Sequence, residues 1–330
     1  LPLTKNLSKS KGEAFGPSLA INMTGKTRAY ATYHDTSPGT TQAFLVKSKK
    51  GSKFKKAANI TPHDGGAFSP RVAVDSNEQV NVVWGDTLEV RKRVVFLRSL
   101  DQGATFSEPV DISRSSGDAF EPEIAVDKDN AINVAWEDTA TGTSLIMFTR
   151  STDAGESFSE PVRVSSPDAR ATEANIAVDS LGNIHVVWVG ASGDTLQAFY
   201  ARSTDGGTTF SEPVNLSQVE GADIHKLVIA TFNENVYVAY NNEANNSRQV
   251  FLVKSKDSGL SFSDPVRVSN ADRAKGRAHS PALAVDSTGL LHIVWIDSSV
   301  VGQDEGLLFY SNSTNGNKFS TQQLILAALP

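Results

Sequence analysis

Fifteen similar residues recur at one fixed spacing: SLDQGATFSEPVDIS from Ser99, STDAGESFSEPVRVS from Ser151, STDGGTTFSEPVNLS from Ser203 and SKDSGLSFSDPVRVS from Ser255. Successive starts are 52 residues apart. Looser copies, one residue short and lacking the aspartate, begin at Ser48 (SKKGSKF) and Ser313 (STNGNKF). A constant period of this size marks supersecondary units that bury their apolar faces by stacking on one another. The 330-residue length alone would suggest two or three domains. Six repeats predict instead one body of six alike units.

A second phrase precedes each of the first. PRVAVDSNEQVNVVW ends at Trp84, PEIAVDKDNAINVAW at Trp136, ANIAVDSLGNIHVVW at Trp188 and PALAVDSTGLLHIVW at Trp295, with relatives ending at Tyr33 and Tyr240. It reads as strand, tight turn, strand, with Asn and Gly supplying the left-handed turn residues. The second run alternates, Ile184, Val186 and Trp188 against His185 and Val187. A third strand follows (VVFLRS, LIMFTRS, QAFYARS, QVFLVKS), then a fourth (EPVDIS and its relatives) that opens at a proline suited to an outer edge. No segment carries helical periodicity. Four antiparallel strands repeated six times predict an all-β, six-bladed β-propeller. The blades fall at about 9–61, 62–113, 114–165, 166–217, 218–269 and 270–330, all within one domain spanning 1–330. Either the opening LTKNLS or the closing TQQLIL could complete the last blade.

The motif Ser-x-Asp-x-Gly-x-x-Phe joins strands three and four. Its aspartate can accept backbone N–H groups, its glycine can take a positive φ, and its phenylalanine can fold back onto the blade. The residues concerned are Asp101, Gly103 and Phe106; Asp153, Gly155 and Phe158; Asp205, Gly207 and Phe210; and Asp257, Gly259 and Phe262. The motif resembles the Asp-box, or bacterial neuraminidase repeat, of the sialidase-like propellers, and its copies span essentially the whole chain. That resemblance implies the sialidase-like propeller fold. It implies no single function, since such propellers include sialidases, other glycosidases, lectins and sorting receptors.

The resemblance also implies that the functional face lies opposite the Asp-boxes, at the starts of the innermost strands and the loops after each second strand. Those starts read EAFGPS (13–18), GAFSPR (66–71), DAFEPE (118–123), ATEANI (171–176), ADIHKL (222–227) and RAHSPA (277–282). They vary between blades while the strands do not, as expected of a binding face on a regular scaffold. Glu121 and Glu173 hold equivalent places in adjacent blades. Glu123, two residues beyond Glu121, is expected on the same side of the strand, about 7 Å away. Arg71, His225, Lys226, Arg277 and His279 are the candidate ligand contacts of the same ring. A solvated, charge-balanced rim would use the same residues. Asp35, Asp86, Asp138 and Asp297 recur in the loops after strand two, where a carboxylate can cap the loop. The ring of Tyr33, Trp84, Trp136, Trp188, Tyr240 and Trp295 is most simply packing between blades.

A sialidase of this fold would hold its substrate carboxylate with three arginines and use a tyrosine nucleophile with an aspartate acid/base. Arg71 lies where the first arginine is expected, but its proline precedes it. Arg98, Arg150 and Arg202 recur before the Asp-box serine and belong to the scaffold. Arg170, Arg273 and Arg277 lie in no family phrase, and no tyrosine stands out. The favoured reading is therefore a propeller that binds carbohydrate or protein on the face opposite the Asp-boxes, without chemistry of its own. A glycoside hydrolase is the alternative, with Glu121, Glu123 and Glu173 as acid, base or nucleophile and Arg71 and Arg277 holding an anionic group. A structural module of a larger extracellular assembly is the third.

Net charge is −6, against nucleic-acid binding, and there is no cysteine to form a disulfide or a thiolate site. No zinc or nucleotide motif is present, and no metal site is assigned. Calcium is the one cofactor the acidic loops leave open, although no segment has EF-hand spacing. No apolar run is long enough to cross a bilayer. The chain starts at Leu1, and removal of an upstream segment and a secreted, extracellular or periplasmic location are the expectations.

Overall fold

The computed structural model describes residues 6–22, 27–48, 53–87, 90–217, 223–244, 247–269, 277–298 and 306–326. Among them the chain forms six four-stranded antiparallel sheets and no helix. Each sheet uses four strands consecutive in sequence. Blade two, for example, runs Ala67–Val74, Val80–Asp86, Arg93–Ser99 and Val110–Asp111. The last blade is completed by the chain's own C-terminal strand, Gln323–Leu326. Of the opening LTKNLS, residues 3–5 lie outside the described residues, and Asn6, Leu7 and Ser8 are in no strand. The chain divides into two compact units, residues 1–163 and 164–330, with three blades each.

The second strand of blade six alternates as expected, but those of blades two, three and four do not. Val80–Asp86 and Ile132–Asp138 are buried at every position. In blade four His185 and Val187 are as buried as Ile184 and Val186. Where both faces of a strand are covered, the alternation in burial is lost. A buried histidine then needs partners. His185 Nδ1 meets the Tyr200 hydroxyl at 2.8 Å and its Nε2 lies 3.2 Å from Asp179.

The Ser-x-Asp-x-Gly hairpins are built as expected. Ser99 donates to Asp101 at 2.7 Å and accepts from the Gly103 N–H at 2.7 Å. Asp101 accepts from the Ala104 and Thr105 amides at 2.9 and 2.8 Å. Hydrogen bonds to the ionised carboxylate hold Asp153, Asp205 and Asp257 down at about 2. In the sixth blade Asn315 takes the aspartate's place, accepting from the Asn317 amide at 2.9 Å.

The phenylalanine packs with its own blade, as expected, and also reaches the blade before it. Phe158 packs edge-on against Phe96 of the preceding blade, with ring centroids 4.9 Å apart, and Phe262 meets Tyr200 of the preceding blade at 4.8 Å. The glycine permits that approach. A Cβ on Gly155 would lie 2.4 Å from the Phe96 ring, and one on Gly259 would lie 1.7 Å from the Tyr200 hydroxyl oxygen. A cation completes each joint. Lys47 donates to the Gln102 carbonyl at 2.7 Å, and Arg202 to the Ser258 carbonyl at 2.9 Å. Arg98 reaches the Ala154 carbonyl and Lys254 the Asn315 carbonyl in the same way. The repeated fifteen residues are thus the joint between successive blades as well as the hairpin within one.

Four of the six aromatics that end the second strands pack between blades. Trp84 joins a cluster with Tyr30, Ala43 and Leu45 of the blade before it, and Trp136 joins Val83, Val94 and Phe96. In the second unit Tyr240 packs with Val187, Val189 and Tyr200, and Trp295 with Tyr237, Ala239 and Val250.

Candidate functional site

Within every blade the first residues of the inner strand pair with the last of the second, as Ala67 does with Asp86. The aspartate hairpin follows the third strand at the other end of the blade. Just inside that first pair, all six inner strands carry a β-bulge. The bulge residues Gly16, Ser69, Glu121, Glu173 and Ser280 have φ between 48 and 57°. Four of these five have a Cβ, at a cost of order 1–3 kcal/mol each. Pro17, Pro70, Pro122 and Pro281 come next, where a missing N–H leaves no ladder bond unmade. A bulge re-aims the side chains around it.

Glu121 lies in such a bulge and Glu123 borders it, and each meets a residue of the preceding blade's inner strand. Glu121 accepts both its hydrogen bonds from Ser69 Oγ, at 2.9 Å each. Glu123 is held by Arg71, with Nε 2.7 Å from Oε1, both side chains about four-fifths buried. The carboxylate expected to do chemistry and the arginine expected to hold an anion neutralise each other.

In the first unit the bulges border a cleft of about 280 Å³ lined by His34, Phe68, Ser69, Gly85, Lys92, Phe120 and Glu121. Phe68 is 38% exposed. The His34 ring stands between two phenylalanines, 5.6 Å from Phe15 and 6.2 Å from Phe68. Lys92 lies over the Phe120 ring at 5.4 Å. Burial lowers the His34 pKa, opposed by the nearby Glu121 charge. Its Nδ1 is buried with no hydrogen-bond partner among the described residues. The result is a neutral imidazole beside an exposed carboxylate, an ammonium and aromatic faces. Such a surface can stack a sugar ring and hydrogen-bond its hydroxyls.

Of these lining residues the sequence reading singled out only Glu121. The signal was present: Ala-Phe-x-Pro occurs at 14–17, 67–70 and 119–122, in the first three blades alone.

In the second unit Glu173 lies 3.6 Å from Lys226 Nζ. His225 Nε2 lies 3.4 Å from Glu243, which is also bound by Arg248. Glu243 and Arg248 were not singled out in sequence; the Arg248 hydrogen bond lowers the Glu243 pKa. His279 contacts the Ser280 and Ser298 hydroxyls at 3.1 and 3.4 Å, and burial lowers its pKa. Arg277 is exposed, with its carbonyl taken by the Ser298 amide. Arg273 lies outside the described residues.

The recurrent loop aspartates are internal. Asp35 and Asp138 accept from the Ser37 and Ala140 amides at 2.7 and 2.8 Å. Asp86 is fully buried against Arg93 and His63, at 2.9 and 3.2 Å. No group of three or more His, Asp or Glu that could hold a metal is found among the described residues. Nor is any helix long and apolar enough to cross a membrane.

No family model matches the chain, and no curated protein matches it. Solved structures do. A protein of unknown function from Dyadobacter fermentans is 16% identical, with 92% of this chain and 95% of that one covered and a TM-score of 0.64. The fold is a six-bladed β-propeller. An ulvan lyase of polysaccharide lyase family 25, bound to -[GlcA(1-4)Rha3S]-, is 12% identical over 96% of this chain and 87% of its own, at a TM-score of 0.66. The intramolecular trans-sialidase of Ruminococcus gnavus is 13% identical over 96% and 95%, at 0.61. At these identities the likeness is one of fold.

Proposed function

We propose that this chain is an exported, sialidase-like propeller that recognises carbohydrate through the cleft of its first unit. The observation that carries the reading is the juxtaposition of exposed Phe68 with His34, Lys92 and Glu121 around about 280 Å³. Aromatic faces take the apolar side of a pyranose, and the polar groups fix its hydroxyls. The carbohydrate-directed names of the lyase and sialidase neighbours support the ligand class. The pairing of Arg71 with Glu123 argues against a sialidase, since that guanidinium is occupied.

A second reading, cleavage of a glycan, is favoured by one observation. Exposed Glu121 lines the same cleft as His34, whose pKa burial lowers, and a carboxylate beside an imidazole can serve acid–base chemistry. A glycan array with a parallel screen of fluorogenic glycosides and polysaccharides separates the two. Recognition predicts binding that Phe68→Ala weakens, with no turnover. Turnover abolished by Glu121→Gln or His34→Asn would establish the enzyme instead. Absence of both binding and turnover would overturn the carbohydrate reading.

A further inference from the structure

The charge of this chain is unevenly divided. Residues 1–61 hold eleven Lys and Arg against only Glu13 and Asp35, a net charge of +9. The other 269 residues therefore carry −15 of the total −6. Seven of those eleven lie among the described residues: Lys9, Lys11, Arg28, Lys47, Lys53, Lys55 and Lys56. A cleft of about 370 Å³ is bordered by Lys9, Lys11, Lys55 and Lys56, with Tyr33 and Phe44 in its wall. All four lysines are exposed. The one carboxylate among the described residues lining the cleft, Asp35, is buried and bound by the Ser10 hydroxyl and the Ser37 amide, each at 2.7 Å. One carboxylate thus stands against four lysines. A second cleft of about 150 Å³ shares Lys55 and continues the basic surface to Lys47 and Arg28. Arg28 itself is paired with Glu78 at 2.6 Å.

We propose that this basic cleft binds an acidic polysaccharide, one bearing sulfate or uronate groups. Four like charges around one concavity repel one another and attract a polyanion. Three features choose a polysaccharide over other polyanions. The site is a cleft and not a flat patch. Its wall combines the Tyr33–Phe44 stack, 5.6 Å between centroids, with the hydroxyls of Ser8, Ser10 and Ser37, which suits a ring with apolar faces and polar edges. Its cations are lysines, point charges suited to anionic groups spaced along a polymer. A single flexible chain can follow a cleft, which a planar anionic membrane cannot enter. This site does not depend on the Phe68 cleft.

Heparin serves as the sulfated, uronate-bearing probe, with neutral dextran, phosphatidylserine vesicles and duplex DNA alongside it. Isothermal titration with the full chain should show heparin binding that weakens as salt rises. Combined Lys9→Ser, Lys11→Ser, Lys55→Ser and Lys56→Ser should weaken it at least tenfold, with the thermal midpoint unchanged. Lys55→Glu with Lys56→Glu provides a second variant at two exposed positions. Phe68→Ala should leave heparin affinity as it was, which separates this site from the proposed glycan cleft. No heparin binding, affinity retained in both lysine variants, or tighter binding to vesicles or DNA would each overturn the proposal.

Discussion

Gly155→Ala tests the idea that the repeated motif is a joint between blades. Gly155 has a φ of 84°, and a Cβ there would meet Phe96 Cε1 at 2.4 Å and Cζ at 2.6 Å. Phe96 is 1% exposed and packed against Phe158, so its ring has nowhere to retreat. Two costs add: about 1–2 kcal/mol for a left-handed alanine, and about 1–3 kcal/mol for overpacking. Gly142 of the same blade supplies the control, with φ 85° and nothing within 4 Å of a built Cβ. Gly142→Ala should cost only the backbone part, about 1–2 kcal/mol. Urea unfolding at unchanged slope measures both. Phe96→Leu combined with Gly155→Ala should recover part of the loss, a coupling of about 0.5–3 kcal/mol. If the two glycine variants lose the same stability within about 0.5 kcal/mol, the glycine is there for its backbone angle and not for the neighbouring blade.

Arg98→Met removes a largely buried guanidinium from the Ala154 carbonyl and Glu156, and should cost about 1–3 kcal/mol by urea unfolding. Trp136→Ala, at a fully buried position between two blades, should cost about 3–5 kcal/mol in the same assay. The hairpin aspartates also set an acid limit. Their folded pKa values near 2 lie below the ordinary 3.8, so the stability they contribute is complete above about 4 and is lost as pH falls towards 2. Thermal midpoints from pH 5 to pH 2 should fall through that window, and by less when Asp153→Asn, Asp205→Asn and Asp257→Asn are combined.

The architecture was legible because one period is written six times, and local turn chemistry marks each strand end. Asp101 with Gly103, and the Asn130 and Gly182 turns, can be read from sequence because their partners are at most a few residues away. The destination of Phe158 could not, since Phe96 lies 62 residues earlier and is recognised only once the blades are stacked. The full burial of His185 was hidden for the same reason. The site was less legible still. Glu121 and Arg71 lie near the starts of the inner strands, as read from sequence, but a bulge changes what each side chain meets without changing the composition. Arg71 then turns to Glu123 and Glu121 to Ser69, while His34, near the end of a second strand noted only for its tyrosine and aspartate, comes to border the cleft.

Hydroxyl-radical footprinting in the presence of the strongest ligand from a glycan array tests the central functional claim most directly. The account predicts protection at Phe68, Phe120 and His34, lost in Phe68→Ala, with peptides of the aspartate hairpins unchanged. Protection at the hairpin ends of the blades, with Phe68 and Phe120 still reactive, would contradict it.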